Sequence, residues 1–176
     1  MNAPEPAASD WRGRFFEDFE VGQSFRSRFG RTVTETDNVW FTALTHNTNA
    51  VHFDAEFAAS TRFGQRLVNS CFTLSLVVGL SVPDTSENAT ANLKWDSVNL
   101  PNPVFHGDTI WVESEVLEVR RSSSRPTVGI IGIRTRGINQ RKEVVCEFRR
   151  SFMVYSREAP EVVNRSFPNT EEPWGV

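Results

Sequence analysis

Residues 46–54 read His46-Asn47-Thr48-Asn49-Ala50-Val51-His52-Phe53-Asp54, and their types make this segment the place where the chain is best equipped to move a proton. Asn47, Thr48 and Asn49 carry short polar side chains that favour turns and hold fixed hydrogen bonds in a loop between helices. His52 stands between Val51 and Phe53, with apolar neighbours and polar groups within reach. Such surroundings keep an imidazole neutral near pH 7, ready to take or give a proton. The plainer reading is a loop histidine that only satisfies backbone groups, and the residues alone leave both open. His46 either lines the same pocket or faces solvent at a helix end, while His106 falls in a turn where a structural role suits it. Arg62 and Arg66 flank Gly64, and a guanidinium there fits a carboxylate, a phosphate or plain solvent. Three histidines and two cysteines show no metal-ligand spacing. There is no phosphate-cradling glycine loop, nucleophile elbow or dinucleotide fingerprint.

Helices must hold that loop. Thr34 and Asp37 have capping-box spacing, and Val39, Trp40, Ala43 and Leu44 follow at helical intervals, which predicts a helix leading into the loop. Asp54 is placed to cap a second helix, expected to run through Phe63 and close at Gly64. A third is expected from Asn69 or Ser70 to Val82, where Pro83 stops it. Its Phe72, Leu74, Leu76, Val77, Val78 and Leu80 are apolar on every side, and a helix without a polar face is expected to be buried all round.

The remainder reads as strands. Residues 23–33 alternate Phe25, Ser27 and Phe29 against Ser24, Arg26 and Arg28; further strands are expected at 92–100, 108–120, 127–136 and 142–155, with turns at Gly107-Asp108 and at Gly137 and Asn139. A strand, then helices, then long antiparallel strands describe an α+β domain whose sheet must cover one buried helix. A curved antiparallel sheet wrapped around a central α-helix, the hot-dog arrangement, is the economical solution.

At 176 residues the chain supports one domain with a real core and is short for two. Residues 14–156 are read as that domain, 1–13 as a flexible N-terminal tail and 157–176 as a C-terminal tail or arm, with Trp174 suited to packing on a partner. Phe is used 14 times and Trp five times against one Tyr, which points to an aromatic core or an apolar channel. A net charge of -3 argues against a nucleic-acid surface. Cys71 and Cys146 read as buried free thiols of a reducing compartment. No segment has the features of a signal peptide or the length of a membrane span, so a cytoplasmic protein is expected.

Around His52 the chain resembles the MaoC-like, (R)-specific enoyl-CoA hydratase family. That family's signature is Gly-Asp-x-Asn-Pro-x-His-x-Asp, then a small or aromatic residue and alanine. The spacing of its catalytic pair is kept, with Asn47 in the acid's place and His52 in the histidine's, and Asn49 and Asp54 match directly. The likeness continues through Phe63-Gly64, Leu67-Val68 and Asn69-Ser70, where the family has Phe-Gly-x-x-Ile-x-His-Gly opening the central helix. It also takes in Phe16-Glu17-Asp18-Phe19-Glu20-Val21-Gly22 and Pro103-Val104-Phe105 before Gly107-Asp108-Thr109, so that it covers residues 15–155. Three positions depart: the catalytic aspartate is Asn47, the proline is Ala50, and His-Gly is Asn69-Ser70. The combination of His46-Asn47-Thr48-Asn49 with Leu67-Val68-Asn69-Ser70 is similar to the subgroup that hydrates branched dicarboxylic thioesters such as itaconyl-CoA or mesaconyl-CoA.

The resemblance implies a hydro-lyase that adds water reversibly to a short 2-enoyl-CoA. It makes the Ser70 N–H, at the start of the central helix, the donor to the thioester oxyanion. An amide has no useful proton equilibrium near neutrality, so His52 is left to carry the proton while Asn47 holds the water. Asn49, His46, Asn69, Arg62 and Arg66 are the candidate substrate-binding residues. The expected ligand is acyl-CoA, with no cofactor beyond the CoA of the substrate, no metal, no nucleic acid and no membrane. A homodimer with the acyl pocket near its interface is implied as well, and an exposed edge strand on a sheet with one helix favours such pairing. Two alternatives remain. A thioesterase would want a carboxylate on or near the central helix, and residues 71–83 contain none; a non-catalytic acyl-CoA-binding protein would explain the missing aspartate.

Overall fold

Thr34 starts the first long helix as its spacing predicts. Its hydroxyl accepts from the Asp37 N–H at 3.2 Å, and the Asp37 carboxylate accepts from the Thr34 N–H at 2.8 Å, which closes the capping box of α1 (Glu35–Leu44). Asp37 also takes both arms of the Arg31 guanidinium, at 2.7 Å each, and so ties the helix to the strand before it. Asp54 caps α2 (Ala55–Ser60) through the Phe57 N–H at 2.9 Å. Asn69 caps α3 (Ser70–Thr85) through the Cys71 N–H at 3.0 Å. The computed structural model describes residues 13–163, and the greater part of both expected tails, Trp174 included, lies outside them. The described part of the C-terminal segment carries a four-residue helix, α4 (Pro160–Val163). No helix among the described residues is long and apolar enough to cross a membrane.

Six strands form one antiparallel sheet: β1 (Ser24–Arg26), β2 (Arg31–Thr32), β3 (Ala89–Asn99), β4 (Thr109–Arg121), β5 (Val128–Asn139) and β6 (Val144–Tyr155). The order across it is β1-β4-β5-β6-β3, with β2 also on β4, so β3 is an edge. The sheet curves around α3 in the expected hot-dog arrangement. Val33, Val77, Ile110, Val112, Val145 and Phe148 form one part of the core beneath α3. Phe19, Phe25, Val116, Ile131, Ile133 and Phe152 form the other. Phe148 and Phe152 are fully buried, each contributing roughly 1.5–3 kcal/mol from loss of water contact.

Several expectations are corrected. The first strand is broken: β1 and β2 pair separately with β4, with Phe29 turned out to solvent between them and Gly30 so close to Trp111 that a Cβ there would sit 2.4 Å from the ring. In α1 the apolar Trp40 and Leu44 are exposed, while Asn38 and Thr42 are buried. α2 ends at Ser60 rather than Phe63, with Gly64 at φ +67° in the turn beyond. α3 runs past Pro83 to Thr85. A proline this near the end removes only the N–H that would reach Gly79, and the last turn is closed by the Thr85 hydroxyl on the Ser81 carbonyl at 2.6 Å and the Ser86 N–H on Val82 at 2.9 Å. Gly137 sits inside β5 rather than in a turn.

The central helix is not buried on every side. Its fully buried residues are Thr73, Val77, Ser81 and Thr85, one stripe of small side chains against the sheet. Phe72, Leu74, Leu76, Val78 and Leu80 pack along the flanks. Cys71, Ser75 and Gly79 are exposed, so Cys71 is an exposed thiol and only Cys146 is buried. The small stripe lets the helix come close to the sheet: a Cβ on Gly137 would fall 2.4 Å from a Val77 methyl. Beneath the far half of α3, the buried Arg150 guanidinium donates to Ser81, Thr85 and Ser86 hydroxyls at 3.3, 3.1 and 2.8 Å. Burial there pushes its pKa down to about 10.

Candidate active site

The loop after α1 is built from its own side chains. The Thr45 hydroxyl caps the Phe41 carbonyl at 2.8 Å, and His46 adopts φ +53°, a left-handed turn that reverses the chain. Asn47 Oδ1 accepts from the Asn49 N–H at 3.0 Å. Asn49 Oδ1 accepts from the Val51 N–H at 3.3 Å, which caps a single 3-10 turn at Ala50–His52. The amides thus do the turn-forming work expected of them. The turn delivers His52 inward, where it is 8% exposed.

The His52 ring Nδ1 lies 3.1 Å from the Leu67 carbonyl. A carbonyl only accepts, so Nδ1 donates, and Nε2 has no hydrogen-bond partner among the described residues. Leu67 is itself held: its N–H donates to the Val51 carbonyl at 3.0 Å, and the following Val68 N–H donates to Val104 at 2.9 Å. The extended stretch that feeds α3 is therefore stitched between the His52 turn and the turn that leads into β4.

A cavity of about 240 Å³ opens here, lined by His52, Arg62, Phe63, Leu67, Val68, Ser70, Thr73 and the wall of residues 100–104. Ser70 is the first residue of α3. The Cys71 N–H is taken by the Asn69 side chain and the Thr73 N–H by the Asn69 carbonyl, 3.0 Å each. The Ser70 N–H has no acceptor among the described residues, as the first amide of a helix must lack one inside it. One cavity thus contains an imidazole with a free nitrogen and a helix start with a free N–H. The first can move a proton and the second can hold an oxyanion. The cavity also has a cation, Arg62, whose guanidinium stacks 4.7 Å from the Phe63 ring centre.

Of the residues singled out from the sequence, His52, Ser70 and Arg62 line this cavity; Asn47, Asn49, His46, Asn69 and Arg66 do not. Asn47 and Asn49 are engaged in the turn, and His46 is exposed. Asn69 is a buried cap. Arg66 is paired with Glu35 at 2.7 Å. Two residues not expected at the site belong to its support: Asn38, which is fully buried in α1, and Thr42, whose hydroxyl accepts from Asn69 Nδ2 at 3.3 Å. A signal was present: Asn38 and Thr42 lie four apart and share a helix face, opposite no other polar requirement. The cavity wall formed by Leu100, Pro101, Asn102, Pro103 and Val104 was likewise not foreseen.

With that geometry in hand, the likeness to known proteins is specific. The model of the MaoC like domain matches residues 17–135. A mesaconyl-CoA hydratase of Cereibacter sphaeroides is 36% identical over 146 residues, 83% of this chain and 42% of that protein. A beta-methylmalyl-CoA dehydratase of Chloroflexus aurantiacus is 35% identical over 162 residues, 90% of this chain and 46% of that protein. The chain thus spans about half the length of these relatives. Among solved structures, a MaoC domain protein dehydratase from Chloroflexus aurantiacus superposes with a TM-score of 0.82 at 33% identity, covering 95% of this chain and 46% of that one. A Mycobacterium tuberculosis protein described as a double hotdog fold superposes with a TM-score of 0.76 at 23% identity, covering 85% and 46%, and supports the fold. The chain belongs to the MaoC-like dehydratase-domain family.

Proposed function

We propose that the protein is a hydro-lyase adding water reversibly to a short 2-enoyl-CoA, branched or dicarboxylic, of the mesaconyl-CoA or itaconyl-CoA kind. The observation that carries this reading is the committed tautomer of His52, which leaves Nε2 free in the cavity that also contains the start of α3. In the forward direction Nε2 takes a proton from water as its oxygen bonds to C3. The electron pair of the double bond moves toward the thioester oxygen, where the Ser70 N–H receives the charge. The imidazolium then returns the proton to C2, and the ring is neutral again. A single well-placed oxyanion donor is worth about 3–4 kcal/mol of barrier, and the proton transfer roughly a hundred- to ten-thousand-fold in rate. Asn47 is assigned to hold the water through its NH₂ group, since its oxygen is engaged with Asn49; it is the one part of the scheme that the cavity lining does not supply. No cofactor beyond the CoA of the substrate enters the scheme.

The names of the relatives support a dicarboxylic thioester, and Arg62 is the cation at hand for its second carboxylate. A thioesterase reading gains nothing from α3, whose sole acidic residue, Asp84, lies at the end remote from Ser70. The test is to mix the protein with crotonyl-, mesaconyl- and itaconyl-CoA and to follow enoyl absorbance and free thiol together. Loss of absorbance without thiol is expected, abolished in His52→Ala and kept or shifted in Asn47→Asp. Thiol release would replace the reading with hydrolysis, and no change in either would leave a binding protein.

The working unit is proposed to be a pair of hot-dog units formed by two copies of this chain. Three features support it: the exposed face of α3, an apolar groove of about 470 Å³ beside it lined by Phe29, Phe41, Phe72, Leu76 and Leu80, and the edge strand β3 with Leu93, Trp95 and Val98 exposed. The relatives of twice the length point the same way.

A further inference from the structure

We infer that Asn38 is the positioning residue of this site, a buried amide that clamps the histidine turn, the strand before α3 and the start of α3 to one another; the inference rests on the hydratase reading above. Asn38 is 0% exposed and is not part of the cavity wall, yet it bonds to the His52 turn, to the strand before α3 and to the cap of α3. Its Nδ2 lies 2.8 Å from the His52 carbonyl and 3.0 Å from the Leu67 carbonyl. Its Oδ1 accepts from the Asn69 N–H at 2.7 Å. The orientation of the amide is fixed by chemistry: turned over, it would set oxygen against two carbonyls and NH₂ against an N–H.

Leu67 makes the link to chemistry. Its carbonyl receives both Asn38 Nδ2 and His52 Nδ1, so the group that sets the tautomer of the imidazole is itself held in place by Asn38. The same amide oxygen holds Asn69, the cap that precedes Ser70. One side chain therefore fixes the separation between the proton-moving nitrogen and the oxyanion donor. An error of an ångström in such a separation can cost about a hundred-fold in rate.

A fourth neighbour completes the clamp. His106 Nε2 lies 3.0 Å from Asn38 Nδ2. Two N–H bonds face three acceptors, so one is shared, and His106 must present a lone pair. Its ring is kept neutral: burial first, and then the nearby Arg66 charge, hold its pKa below the ordinary value, against the opposing pull of Glu35. The turn bearing His106 leads into β4 and carries Val104 on the cavity wall. Asn38 thus brings together four segments that are distant in sequence.

The test compares wild type with Asn38→Ala and with the isosteric Asn38→Asp, which keeps the acceptor and loses the NH₂. With mesaconyl-CoA as the probe, kcat is expected to fall roughly a hundred-fold while KM changes by less than about two-fold. In protein carrying ¹⁵N-labelled histidine, the Nδ1 and Nε2 signals of His52 are expected to shift in both variants without substrate present. Turnover within about three-fold of wild type, a loss confined to KM, or unmoved His52 signals would each overturn the inference. If Asn38→Ala does not fold, Asn38→Asp is judged by the same criteria. If wild type hydrates none of the thioesters, the functional reading falls by itself, and the His52 signals alone decide whether the clamp exists.

Discussion

On the proposed hydratase reading, Arg62 is the residue assigned to the second carboxylate of the substrate. It is the one candidate cation that lines the cavity, since Arg66 is spent on Glu35. A charge-assisted hydrogen bond to a carboxylate contributes about 1.5–3 kcal/mol, and an arginine holds both carboxylate oxygens at once. Arg62→Ala is therefore expected to raise KM for mesaconyl-CoA roughly ten-fold or more and to leave KM for crotonyl-CoA within about two-fold. A parallel rise for both would assign Arg62 to the CoA phosphates instead. The residue scale is also where the sequence was both most and least legible. The capping pairs Thr34 with Asp37, Asp54 with the Phe57 N–H and Asn69 with the Cys71 N–H are contacts across two or three positions, and such contacts are written in local spacing. So is the turn that presents His52. The spacing of Asn38 and Thr42 marks only a shared helix face; the role of Asn38 was not legible because its partners lie 14, 29, 31 and 68 positions away.

At the scale of elements, the decisive contact is the close approach of α3 to β5. Thr73, Val77, Ser81 and Thr85 form the buried stripe, and the hydroxyls in it are satisfied by the helix's own carbonyls or by Arg150. The large apolar residues on every side of α3 lead one to expect a helix buried all round. They are flanks instead, because a helix lying this close to a sheet admits only small side chains between the two backbones. Gly137→Ala places a methyl against Val77 and Ile110, and the helix must shift. Overpacking of this kind costs about 1–3 kcal/mol, so the Tm of the variant is expected to fall by several degrees. Since Ser70 lies two turns before Val77, about 10 Å along the helix axis, turnover should fall as well. A variant as stable as wild type would mean that α3 moves freely on its sheet.

For the whole molecule, the exposed apolar residues carry the argument. Trp40, Leu44, Leu93, Trp95 and Val98 are all more than a third exposed, and large apolar side chains left in water support the proposed pairing of two copies. On the proposed pairing, the apolar pattern of α1 and α3 records a contact face as well as the core, and one chain buries only the core. Sedimentation is expected to give twice the monomer mass, with specific activity falling on dilution into the monomer range. Trp95→Asp should shift the balance to monomer at any concentration. A monomer with full specific activity would refute the pairing.

β3 ends at Asn99, and the next five residues are the wall of the cavity. The strand and the wall are one continuous piece of backbone, so any docking along the sheet margin pulls on the chamber directly, with no relay between them. If two copies pair there as proposed, association and the proposed turnover share a single lever arm, and whatever grips the margin also shapes the room in the chamber.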